Sequence, residues 1–74
     1  MQYSEKLAKY VKKRREELGV SISAFAIENE LENPTLSRYE NFRNRILSDN
    51  FIKIAKGFGR TPAEFLADFE KDCL

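Results

Sequence analysis

Histidine is missing from this chain, and its one cysteine, Cys73, stands beside the last residue. Those shortages remove most of the side chains on which catalysis and metal binding depend. No intrachain disulfide can form, and no cluster of cysteine and histidine can hold a metal. Nucleophile–base pairs lose their commonest base, and the carboxylates are scattered over positions that read as solvated. Nothing points to a catalytic residue, a metal, a cofactor or a small-molecule substrate, so the expectation is a protein that is not an enzyme. A long apolar run and a signal-peptide pattern are also lacking, which predicts a soluble, cytoplasmic chain that does not enter a membrane. Charge of one sign is short too: 13 basic residues face 12 acidic ones, for a net charge of +1. That total argues against a strongly basic nucleic-acid binder and leaves the distribution of charge to decide.

What the chain does have is helical pattern. Its 74 residues make one domain, 1–74, with a core expected over 4–69. A domain of this size buries only about 60% of the surface its unfolded chain exposes, and six Phe and three Tyr at helix-compatible spacing supply the core it needs. The first helix is predicted over 4–18, with Leu7, Val11 and Leu18 on one stripe, Tyr10 beside it and Gly19 as the stop. Ser21 caps a second helix that turns Phe25 and Ala26 inward. Asn33 caps a third, with Pro34 at its first turn. Leu36 and Tyr39 form its inward pair, and Asn41 takes a left-handed exit. Ser48 caps a fourth helix whose core face is Phe51, Ile52, Ala55 and Phe58, ended by Gly59. Thr61-Pro62-Ala63-Glu64 is a capping box that opens a fifth, buried through Phe65, Leu66 and Phe69, with fraying expected from Glu70 onward. The expected fold class is all-α, a bundle of five helices.

The segment 21–41, SISAFAIENELENPTLSRYEN, carries the most information. A small residue, Ala26, lets two short helices cross closely. Leu31 plugs the corner between them, and Leu36, Tyr39 and Glu40 hold the second helix against the body. That is the spacing a helix-turn-helix needs. It leaves Asn33, Pro34, Thr35, Ser37 and Arg38 on the outer side. Charge is segregated around this unit. Lys6, Lys9, Lys12, Lys13, Arg14 and Arg15 crowd the first helix, and Arg43, Arg45, Lys53, Lys56 and Arg60 load the later middle. Glu28, Glu30, Glu32 and Glu40 outnumber Arg38 within the unit itself.

In this order the motifs resemble the Cro/cI-type, or XRE-type, helix-turn-helix family of phage and bacterial repressors. The likeness runs over about 7–66. It is carried by KKRREELGVS at the end of the first helix, FA in the second, LSRYE in the third and FIKIAKGFG in the fourth. Where the family reads R-x-x-x-G-L-S-Q-x-x-L-A this chain has 15–26, and where it reads I-S-R-I-E-x-G this chain has 36–42. The resemblance implies a lambda-repressor-like domain and a sequence-specific transcriptional regulator, a repressor, of bacterial or phage origin. It would act as a homodimer on double-stranded DNA, with the third helix in the major groove and half-sites roughly 34 Å apart. By the same resemblance Asn33 and Pro34 take the first base-reading positions, Arg38 a second one turn later, and Arg15 pairs with Glu40. Arg43 and Arg45 fall in the loop that holds phosphates. Four positions depart from the pattern: Ile22 replaces the glutamine that clamps phosphate, Glu30 the corner glycine, Glu32 the Ser or Thr cap, and Phe42 the glycine after the third helix. Glu30 and Glu32 also add charges that phosphates repel.

Each candidate has a functional and a plain reading. Asn33 can pair bidentately with an adenine edge and Arg38 with guanine O6 and N7; alternatively Asn33 only caps its helix and Arg38 is only solvated. Thr35 and Ser37 can touch a thymine methyl or a phosphate or be ordinary surface, and Pro34 offers apolar contact alone. Arg43, Asn44 and Arg45 can hold phosphates or form a solvated loop. Ile22, Ile27 and Phe42 either fold onto the core or form an apolar surface for a protein partner. That last surface, with the acidic corner, supports a function of another class: a protein-interaction module, an antirepressor or accessory factor with weak or no DNA binding.

Overall fold

A computed structural model describes residues 2–42 and 45–74. Five helices account for most of it: α1 (Tyr3–Glu17), α2 (Ile22–Glu28), α3 (Asn33–Glu40), α4 (Ser48–Gly57) and α5 (Pro62–Cys73), with no strand among the described residues. The fold class is all-α. α3 packs on α1 and α2, and α5 packs on α1 and α4. Val11, Leu36, Ile54, Phe65 and Phe69 are fully buried where these contacts meet. A chain of aromatic rings ties the elements together. Tyr10 of α1 lies 5.5 Å from Phe65 and 5.4 Å from Phe69, Phe58 stacks on Phe65 at 5.2 Å, and Phe25 of α2 reaches Phe58 at 5.0 Å. Such pairs add about 0.5–1.5 kcal/mol each beyond the area they bury.

The helix ends repeat one device. After each of the first four helices a residue with positive φ turns the chain: Gly19 (+73°), Glu30 (+58°), Phe42 (+64°) and Gly59 (+73°). Its N–H bonds a carbonyl of the last turn, as in Gly19 to Glu16 (2.9 Å) and Phe42 to Tyr39 (3.1 Å). At the α2 end the following residue also reaches back, Leu31 N–H to the Ala26 carbonyl at 2.8 Å, which completes a Schellman turn and swings Leu31 into the core.

Several expectations are corrected. α1 starts at Tyr3, and Leu18 is its C-cap, past the last turn and 54% exposed; Val20 packs against the core instead. The third helix is capped from Glu32, without a side-chain bond, and Asn33 is its first residue rather than its cap. Asn41 is not left-handed (φ −97°); Phe42 takes that conformation, and the Asn41 amide donates instead to the Ser37 carbonyl. Leu47, not Ser48, occupies the cap position of α4. The core stripe of α4 runs through Phe51, Ile54, Ala55 and Phe58, at i, i+3, i+4 and i+7, so Ile52 falls off it and is 48% exposed. Leu66 is only half-buried. α5 stays helical to Cys73, held on α1 by Tyr10 donating to Asp72 (2.8 Å) and Tyr3 to Glu70 (3.2 Å).

The predicted capping box is present. Thr61 Oγ1 accepts from the Glu64 N–H at 3.1 Å, and Glu64 Oε1 accepts from the Thr61 N–H at 2.9 Å. Those bonds hold the Glu64 carboxyl below its usual range. Thr61→Ala removes one of them and is expected to cost about 1 kcal/mol. In a domain of this length that lowers the melting temperature by roughly 4–8 °C. An unchanged melting curve would mean the box contributes nothing.

Candidate nucleic-acid interface

The site is built from the inward side of α3. Leu36 (0% exposed), Tyr39 and Glu40 are buried there. Glu40 would be costly to bury alone, and Arg15 answers it: Arg15 Nε donates to one carboxylate oxygen at 2.8 Å and Nη2 to the other at 2.9 Å. The remaining nitrogen, Nη1, donates to the Val20 carbonyl at 2.8 Å, which ties the α1–α2 link to the same point. The bonds to Glu40 raise the Arg15 pKa above its ordinary value. The ion pair and the buried Leu36 and Tyr39 together hold this side of α3 inward, and that decides which residues face outward. Burial raises the Tyr39 hydroxyl in the same direction, leaving it neutral and inward.

Outward, Asn33, Pro34, Ser37, Arg38 and Asn41 line one open concavity. Their spacing is i, i+1, i+4, i+5 and i+8, one face of a helix about 12 Å long. Asn33, Pro34 and Arg38 are exposed, and Ser37 is half-buried. Among the described residues none forms an ion pair with Arg38, whose side chain is exposed. Chemically the face offers amide donors and acceptors, a hydroxyl and a planar cation with five N–H groups.

The sequence candidates divide. Asn33, Pro34, Ser37 and Arg38 are brought together. Thr35 is half-buried and stands outside the concavity. Arg45 is exposed but lines a different depression, with Tyr39, Phe42 and the start of α1. Arg43 and Asn44 lie outside the described residues. Two residues escape the sequence reading. Asn41 joins the concavity, and its spacing three residues after Arg38 was enough to place it. Ser23 of α2 accepts from Asn33 Nδ2 at 2.6 Å, a contact across the corner between side chains ten positions apart that no helical spacing discloses.

Around the corner Glu28, Glu30 and Glu32 are all exposed. Lys53 of α4 donates to the Glu30 carbonyl at 3.1 Å and brings a cation into this acidic edge. Ile22 packs against the core, whereas Ile27 is 77% and Phe42 49% exposed. A left-handed backbone costs a residue with a Cβ about 1–2 kcal/mol, and Glu30 carries that cost where glycine would not. Glu30→Gly is expected to stabilise the domain by up to about 1 kcal/mol, the strain relieved less the extra unfolded-state entropy of glycine. Urea unfolding reads this directly, and a loss of stability would contradict the strain.

The chain matches no protein-family model, no curated protein and no solved structure.

Proposed function

We propose that this protein is a sequence-specific DNA-binding transcriptional regulator, a repressor in the cytoplasm of a bacterium or a cell infected by phage. In this reading α3 enters the major groove of a short operator. The observation that carries it is the division of α3 into two sides. Leu36, Tyr39 and Glu40 are held inward together with the Arg15 fork, and Asn33, Ser37, Arg38 and Asn41 are grouped outward on an open face. Donors and acceptors of this kind match base edges, and a helix fits a groove about 12 Å wide.

The left-handed residues support the Cro/cI-type resemblance independently. Glu30 and Phe42 stand where that family's motifs carry glycine, and they are the two non-glycine residues with positive φ among those described. In this reading the chain keeps the family's backbone turns at both positions although the side chains make them costly. A single module with so few base contacts has limited affinity, so the working form is a homodimer on two half-sites about one helical turn apart.

Selection from a random duplex library at two salt concentrations tests the proposal. A palindromic consensus with half-sites about one turn apart is expected, with affinity falling as salt rises. Failure to enrich any duplex, even in dilute buffer, would overturn it. A protein-interaction module is the second reading. It draws on Ile27, 77% exposed beside the acidic corner, and on the half-exposed Phe42. It predicts that same failure, together with retention of the fold.

A further inference from the structure

We propose that the depression between the start of α1, the end of α3 and the link to α4 binds a small organic acid, one carboxylate on an aromatic or branched apolar body. The inference does not depend on the DNA-binding reading. The depression has a volume of about 760 Å³, within the range of small-molecule sites. Leu7, Phe42 and Ile46 give it apolar walls. The cap and first turn of α1, Gln2 to Glu5, form one side of it. The backbone N–H groups of a first turn have no partner within their helix, and Gln2 supplies no side-chain bond to them. They are donors with the positive end of a 15-residue helix behind them.

A helix start alone would not make a site; Tyr39 adds the second element. It is only 4% exposed and lines the same depression. Each of the other two tyrosines donates to a carboxylate of α5, Tyr3 to Glu70 at 3.2 Å and Tyr10 to Asp72 at 2.8 Å. The Tyr39 hydroxyl has no such partner among the described residues, and burial alone raises its pKa, so it is a neutral donor. No described side-chain oxygen is both sealed from solvent and unpartnered. The Tyr39 oxygen is therefore open, and the depression is the opening that Tyr39 lines. A ligand carboxylate would complete it as Asp72 completes Tyr10. Arg45, exposed, adds a cation to the same lining, and Glu5 there repels a second negative charge, which favours a monoanion. Tyr39 and Phe42 stand where the Cro/cI-type motif reads Ile and Gly, so the phenol and one apolar wall are both departures from that motif.

The test is an NMR titration of the full chain with phenylacetate, set against phenylacetamide and inorganic phosphate at matched ionic strength. Phenylacetate is expected to saturate with a millimolar Kd, as suits a ligand of about ten non-hydrogen atoms. The backbone amides of Tyr3, Ser4 and Glu5 should shift together with the rings of Tyr39 and Phe42. Phenylacetamide lacks the charge and phosphate lacks the apolar body, and both should bind several-fold more weakly. Tyr39→Phe removes only the hydroxyl and should weaken phenylacetate about tenfold or more. Its melting temperature should hold or rise, since no partner among the described residues is lost. Arg45→Gln, an exposed change that does not threaten folding, should weaken phenylacetate roughly 2- to 5-fold. No saturable shift at these residues, equal binding of the amide or of phosphate, or full affinity in Tyr39→Phe would each overturn the inference. If Tyr39→Phe does not fold, full affinity in Arg45→Gln overturns it instead.

Discussion

Glu40→Ala is expected to remove about 3–5 kcal/mol of stability, because it leaves the Arg15 guanidinium buried without its partner. The side chains of Arg15 and Glu40 are 8% and 1% exposed, so solvent cannot take over the lost interaction. A domain of this length has in total roughly 4–11 kcal/mol, and the variant should be marginal at room temperature. Urea unfolding followed by far-ultraviolet circular dichroism measures the loss. The pair is a device for orientation more than for stability, and the double variant Arg15→Met with Glu40→Leu should recover most of the loss. The double variant should nevertheless bind duplex less selectively, since α3 loses the fork that helps to hold its inner side. A cost below about 1 kcal/mol for Glu40→Ala, the size of a surface ion pair, would contradict the buried geometry.

The second large effect concerns Arg38. Arg38→Ala should erase discrimination at one position of each half-site, about 1–3 kcal/mol against the wrong base, and leave the melting temperature unchanged because nothing described in the fold leans on that side chain. Arg38→Lys separates the two ways a cation can act. Lysine keeps the charge but not the planar fork. If Arg38 reads guanine, the lysine variant loses base preference and keeps its salt slope. If Arg38 holds a phosphate, the lysine variant keeps both, and Arg38→Ala weakens all duplexes alike while reducing the slope by about 1. The second pattern would remove Arg38 from the base-reading residues.

Much of this architecture was legible in the sequence because helices advertise themselves through local spacing. The five elements, the capping box at Thr61 and Glu64, and the inward pair of Leu36 and Tyr39 follow from periodicity and turn chemistry that a few adjacent residues encode. The Arg15–Glu40 pair came from the resemblance, since no local rule joins residues 25 positions apart, and the geometry of their two hydrogen bonds bears it out. What was misread lay at helix ends. Asn33 and Ser48 look like caps, but Glu32 and Leu47 occupy those positions, neither with a side-chain cap bond, and a helix start is the part of a helix that local pattern fixes least well. The left-handed exit of α3 falls at Phe42. An asparagine before it is the better left-handed residue by propensity, yet burial of Tyr39 and Glu40 sets where α3 must stop. The link from Ser23 to Asn33 was invisible for the same reason: it depends on the angle between two helices, which only packing determines.

If the chain reads DNA, the outward side of α3 touches nucleobases. A heteronuclear NMR titration of the protein with its selected duplex tests it most directly. The side-chain signals of Asn33, Arg38 and Asn41 are expected to shift together and saturate at one half-site per chain, while those of Arg15 stay in place. Shifts confined to Ile27, Phe42 or the basic side of α1, with the α3 side chains unmoved, would contradict it.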